Sequence, residues 1–198
     1  MAKASVPIRS SRPRVRPSKK AAKSQRNRYN GSVSVFEPIF QALNEAGARY
    51  VVVGGLATVL HGYARLTADV DLVVDLAPEE AGRVIQTLVA MGFRPQAPVD
   101  PKAFADRTTR EQWVREKHMR AFSLFDPANP MRVVDLILEH VVPFEDLWAY
   151  SQEAKIHTTK IRIASIDHLI TLKRQAGRPQ DLADIEQLEV IRQRKETH

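Results

Sequence analysis

No cysteine occurs among the 198 residues, which excludes a disulfide framework, a thiolate metal site and a cysteine nucleophile. No apolar run approaches the roughly 18 to 20 residues needed to cross a bilayer, and the N-terminus lacks the apolar centre of a secretory signal. The expectation is a cytoplasmic protein with no membrane partner. Acidic residues are absent from Met1 to Arg28, a stretch that holds ten basic ones. The net charge of +7 therefore belongs to that tail, because the other 170 residues carry 20 basic and 23 acidic groups. The basic isoelectric point says little about the folded part.

Residues 1–30 place Pro7, Pro13 and Pro17 among Ser, Lys and Arg with almost nothing apolar to bury, so they are predicted to form a disordered basic tail. Such a tail can solubilise, grip RNA phosphates through counterion release, or act as a transit peptide. Residues 31–150 are predicted as the core, and residues 151–198 as a hairpin and helices packed on it. Phe36, Ile39, Phe40 and Leu43 recur at helical spacing before Gly47. The β-branched run Tyr50 to Val53 ends in Gly54-Gly55, a helix is expected from Leu56 to Gly62, and a strand from Val70 to Leu76.

Pro78-Glu79-Glu80 opens a helix that runs to Met91 and stops at Gly92. Met119 to Phe125 and Met131 to Glu139 read as paired strands around a Pro- and Asn-containing turn. A short helix from Phe144 to Tyr150, strands Lys155 to Thr158 and Lys160 to Ala164, and helices Ile166 to Ala176 and Gln180 to Arg194 complete the reading. This order of strands and helices predicts an α/β or α+β fold with a small mixed sheet flanked by helices.

Gly54-Gly55 is followed, after thirteen residues, by Asp69-Val70-Asp71. Strand side chains alternate, so both carboxylates share one face while Val70, Leu72 and Val74 share the other. Two adjacent anions repel, and a divalent cation between them is the simplest explanation; oxygen-only ligands favour Mg²⁺ or Mn²⁺. Mg²⁺ commonly shares its shell with substrate phosphates, and a glycine turn before a helix lets backbone N–H groups approach a polyphosphate. Taken singly, the Asp pair also reads as a solvated strand end and the glycines as a turn. Asp135 interrupts the apolar strand Val133 to Leu138, where a carboxylate needs a metal or a salt bridge, for instance to Arg132.

The segments Tyr50 to Ala57, His61-Gly62 and Arg65 to Leu72 resemble the polymerase-beta-type nucleotidyltransferase superfamily, and within it the AbiEii-like bacterial nucleotidyltransferases, several of which are toxins of toxin–antitoxin pairs. The likeness spans about Phe36 to Ile191. It implies a nucleotidyltransferase fold with a helical C-terminal part. By position it also implies that Gly54 and Gly55 hold the phosphates of an NTP, that Asp69, Asp71 and Asp135 bind Mg²⁺ (or Mn²⁺), and that Asp135 activates the acceptor hydroxyl. The implied reaction moves an NMP to a hydroxyl of RNA, tRNA or protein, with an antitoxin as partner. The alternative is a non-catalytic nucleotide- or RNA-binding protein on the same fold. The usual Gly-Ser is Gly54-Gly55 here, which removes a serine hydroxyl and leaves backbone amides.

Arg65 and Thr67 precede the acidic pair and are candidates for phosphate contact, Arg65 equally for a salt bridge. Lys173 falls where the stripe of Ile166, Leu169 and Ile170 calls for an apolar residue, and so meets an anion or snorkels. The resemblance assigns nucleotide binding to Lys173 and to Asp184, which sits three residues after Asp181. An interhelix salt bridge between Lys173 and Asp184 is compatible with that role. Arg178 precedes Pro179 in the connecting turn and is a lesser candidate for contact with nucleotide or substrate. His61 reads as a packing residue. Basic residues around Trp113 suggest either an RNA-stacking surface or a solvated helix face diluted by Asp106, Glu111 and Glu116.

Overall fold

In the computed structural model, residues 33–197 are described; the expected basic tail lies outside them. The elements in chain order are α1 (Glu37–Glu45), β1 (Tyr50–Val52), α2 (Gly54–Leu60), β2 (Asp69–Val74), α3 (Pro78–Ala90), β3 (Arg94–Pro95), α4 (Arg107–Lys117), β4 (Ala121–Asp126), β5 (Asn129–Ile137), α5 (Phe144–Ala149), β6 (Gln152–Ile156), β7 (Thr159–Ile163), α6 (Ile166–Ala176) and α7 (Pro179–Glu196). A 3₁₀ helix, Pro101–Ala105, precedes α4. All seven strands form one mixed sheet in the order β3-β4-β5-β2-β1-β7-β6.

β2 lies at the centre, antiparallel to β1 and parallel to β5. Its alternation separates the two faces. Val70, Leu72 and Val74 are buried in the core with Val134 and Leu136 of β5. On that side Phe40 of α1 stacks on Tyr50, while Phe104 and Trp113 pack on Phe122. Asp69, Asp71 and Val73 point the other way, and Asp71 and Val73 line a cleft with Leu169 and Leu172 of α6. The hairpin β6–β7 joins the same sheet, because β7 pairs parallel with β1 through Val52 and Ile163.

Most boundaries differ from the sequence reading by one to three residues, and the short strand β3 was not expected. α2 begins at Gly54 rather than Leu56, since Gly54 takes φ +60° and turns the chain directly from β1 into the helix. β5 begins at Asn129, inside the expected turn. β6 starts at Gln152, and the hairpin turns at His157-Thr158, with His157 at φ +48°.

The basic middle segment folds as α4, but neither reading of it holds throughout. Arg110 is buried and donates to the carbonyls of Leu76 and Phe104, so it stitches α4 to the core. Trp113 is buried face to face with Phe122, centroids 5.1 Å apart and planes 5° apart, so no base can stack on it. Arg107 and Arg115 pair with the exposed Glu111 and Glu116, which leaves the rest of the helix a solvated face.

Candidate active site

The parallel register of β2 and β5 sets Asp71 directly beside Asp135, and the two-residue strand period adds Asp69 on the same face. Ligand oxygens of all three lie within 4.8 Å of one another. Asp135 Oδ1 is buried and has no hydrogen-bond partner, a costly arrangement unless a cation completes it. Arg132, the salt-bridge partner considered for Asp135, instead pairs with Asp126 at 2.9 Å. Three oxygen ligands at this spacing, one of them otherwise unsatisfied, fit Mg²⁺ or Mn²⁺.

The glycine turn wraps around Asp71. The Val53 N–H donates to the Asp71 carbonyl at 2.9 Å, and the Gly55 N–H bonds its carboxylate. A Cβ on Gly54 would fall 1.8 Å from Asp71 Oδ2. The strand-to-helix turn and the central carboxylate are therefore one packed unit. Asp71 and Asp135 line a cleft of about 350 Å³ between the sheet and α6, together with Val73, Ile137, Leu169 and Leu172.

No family model matches the chain, and no curated protein matches it by sequence. Among solved structures, a crystal structure of ANT(2'')-Ia in complex with adenylyl-2''-tobramycin superposes with a TM-score of 0.51 at 16% identity, covering 83% of this chain and 97% of that one. A solution structure of the antibiotic-resistance factor ANT(2'')-Ia gives 0.51 at 14% identity, over 85% of this chain and 92% of that one. The chain has the nucleotidyltransferase fold.

Within this nucleotidyltransferase fold, the glycine at 55 has a local cause. A side chain there would meet Thr67 Oγ1 at 2.6 Å and Arg65 Nη2 at 2.7 Å. The loop before β2 thus occupies the volume that a serine side chain at position 55 would need. Thr67 also donates to Asp69, at 3.3 Å to its backbone oxygen and 3.3 Å to Oδ1.

Lys173 is buried between Asp184, at 2.6 Å, and Asp181, at 3.3 Å. Asp184 also accepts from Arg65 at 3.1 Å and is 1% exposed. Lys173 lines the cleft, whereas Asp184 and Arg65 do not, and Asp184 touches the cleft wall through Lys173. The expected salt bridge between the two helices is therefore present, and it extends to the loop before β2. Arg178 lines the cleft with Asp181, and the sequence reading gave both little weight. The cue available was an arginine fixed between Gly177 and Pro179 with an acid three residues on.

His61 is buried at the end of α2 with Nε2 2.8 Å from the Ala164 carbonyl, and burial lowers its pKa despite that bond. It is a packing histidine. Asp75 is tied to Arg49 at 2.6 Å.

Burial, with the charges of Asp69 and Asp135, pushes the Asp71 carboxyl up to about 6, against a smaller pull from the Gly55 N–H. A raised native pKa makes the protonated form the stable one, so metal-free stability is fullest below the ordinary value near 3.8 and declines as pH rises through about 6. A cation must displace that proton. Mn²⁺ affinity is accordingly expected to rise up to about tenfold per pH unit below 6 and to level off above 7. Titration calorimetry across pH 5 to 8 checks this, and a flat profile over that range contradicts it.

Proposed function

We propose that the chain is a Mg²⁺-dependent nucleotidyltransferase that moves an NMP from an NTP to a hydroxyl acceptor, with RNA or tRNA ends, or a protein hydroxyl, as the acceptor class. The observation that carries this reading is the convergence of Asp69, Asp71 and Asp135 on two adjacent parallel strands beside the Gly54-Gly55 turn. Asp69, Asp71 and Asp135 would hold the divalent cation, which when bound neutralises phosphate charge and polarises the reacting phosphorus. Gly54 and Gly55 give the phosphates close access to backbone. Arg65 and Thr67 supply a positive charge and a hydroxyl where the turn has no side chain.

Asp135 suits the role of base. Burial raises its pKa, a bond from the Ser123 hydroxyl lowers it in part, and Asp69 raises it further. A carboxylate with raised proton affinity accepts the acceptor's proton as its oxygen attacks the α-phosphorus, and pyrophosphate departs. Lys173 and Asp184, tied to each other and to Arg65, hold the cleft wall at the nucleotide's flank. The AbiEii resemblance extends the reading to a toxin restrained by an antitoxin protein.

The test is incubation of the purified chain with Mg²⁺ and each α-³²P-labelled NTP, with total bacterial RNA, and with an aminoglycoside in a parallel tube. Label is expected on RNA or on protein with one NTP preferred; label on the aminoglycoside alone reassigns the acceptor. Nucleotide binding with no transfer in any tube supports a non-catalytic binding protein instead.

A further inference from the structure

The ionic frame that joins α6 and α7 has one member that it does not need. Lys173 already neutralises one of the two buried carboxylates, Asp181 and Asp184, and Arg65 serves the other. Arg178 adds a third cation. Its Nε donates to Asp181 Oδ2 at 2.8 Å and its Nη2 to Oδ1 at 3.4 Å, while its backbone N–H bonds Oδ2 at 3.2 Å. Asp181 is 2% exposed, whereas the Arg178 side chain is 71% exposed.

A buried anion thus grips one edge of an exposed guanidinium. Of the five N–H donors of an arginine, the Nη1 pair has no partner among the described residues. The backbone is equally fixed, with Gly177 at φ +63° on one side and Pro179 opening α7 on the other. Arg178 lines the same cleft as Asp71 and Asp135, and its charge acts on both. A surface helix cap needs neither a buried clamp nor a place in the wall of a cleft lined by two further carboxylates.

We propose that Arg178 is a phosphate-binding residue of the transfer: its free guanidinium edge grips the β- and γ-phosphates of the donor NTP and stabilises the charge that develops on the departing pyrophosphate. The inference rests on the nucleotidyltransfer reading. In that step the acceptor oxygen bonds to the α-phosphorus, and the bond from that phosphorus to the bridging oxygen breaks. The electron pair stays on pyrophosphate, and the hydroxyl proton passes to Asp135. Planar bidentate donors match phosphate oxygens, and a preorganised cation needs no rearrangement as charge moves toward it. Asp181 is the positioning residue, and Lys173 keeps Asp181 from swinging away.

The test compares wild type, Arg178→Ala and Arg178→Lys in calorimetric binding of an α,β-methylene NTP and of the matching NMP, both with Mg²⁺, alongside the labelled transfer assay. Arg178→Ala is expected to weaken binding of the triphosphate analogue about 10- to 100-fold and of the NMP less than about twofold, with kcat down about 100-fold. Arg178→Lys should recover part of both, since it keeps the charge and loses the fork. Equal weakening for NMP and triphosphate, or no weakening, overturns the proposal. Thermal melting identifies a folding defect, in which case Arg178→Lys alone decides. A wild type that neither binds nor transfers an NTP sinks the nucleotidyltransfer reading, and this proposal with it.

Discussion

Asp71→Asn is expected to reduce nucleotide transfer about a thousandfold or more while leaving the metal-free protein at least as stable as wild type. Asp71 sits between Asp69 on its own strand and Asp135 on the next, so the neutral isostere removes a ligand from the centre of the metal site. The stability side follows from the raised native pKa of about 6. Above that value wild-type Asp71 carries a charge that burial and its acidic neighbours oppose, and Asn removes it, for a gain of about 1 to 2 kcal/mol at pH 7.5. Below about pH 3 wild-type Asp71 is protonated in both states and the gain should vanish. Melting in chelator at the two pH values measures this, and addition of Mg²⁺ or Mn²⁺ should then raise the wild-type midpoint but not the variant's. A variant that melts several degrees below wild type in chelator at pH 7.5 would mean that Asp71 is a structural carboxylate.

Gly54→Ala tests the other half of the site, and the expected cost is about 3 kcal/mol of stability together with loss of the cation. Two effects add. Gly54 has φ +60°, a left-handed conformation that costs a residue with a Cβ roughly 1 to 2 kcal/mol. The new Cβ would also lie 1.8 Å from Asp71 Oδ2 and 2.5 Å from its Cγ, so the carboxylate must leave its place between Asp69 and Asp135. Gly55→Ala provides the contrast. Its Cβ meets the ends of the Thr67 and Arg65 side chains at 2.6 and 2.7 Å, groups that can swing aside, and φ is not positive there. Chemical denaturation of both variants, with Mn²⁺ titration, ranks them. A Gly54→Ala protein with wild-type stability and wild-type Mn²⁺ affinity would show that the turn and Asp71 are not packed as a unit.

Much of the sheet side of the site was legible before any fold was known. A strand has a side-chain period of two, so Asp69 and Asp71 had to share a face opposite Val70, Leu72 and Val74, and the burial follows that split. Asp135 stood out because a carboxylate on an apolar strand needs either a metal or a salt bridge. Lys173 stood out likewise among Ile166, Leu169 and Ile170, and it meets Asp184 as one of its two readings required.

What pairs with what across the chain was not legible. The register that sets Asp71 against Asp135 joins residues 64 apart, and no local pattern encodes a parallel pairing between strands so distant. Arg110 and Trp113 carried the composition of a surface that binds RNA, yet packing against Phe104 and Phe122 buries both. The same holds for Arg178: the sequence placed it in a turn three residues before Asp181, but only the docking of α6 and α7 over the sheet buries Asp181 and sets Arg178 in the cleft with Asp71 and Asp135. The sequence by itself determined most of the elements, though not β3, together with the acidic face and the nucleotidyltransferase likeness, because these depend on periodicity and on short motifs within one or two neighbouring elements. Tertiary structure decided the company each charge keeps, because a charge's partner and its desolvation are set by the elements that pack around it rather than by its neighbours along the chain.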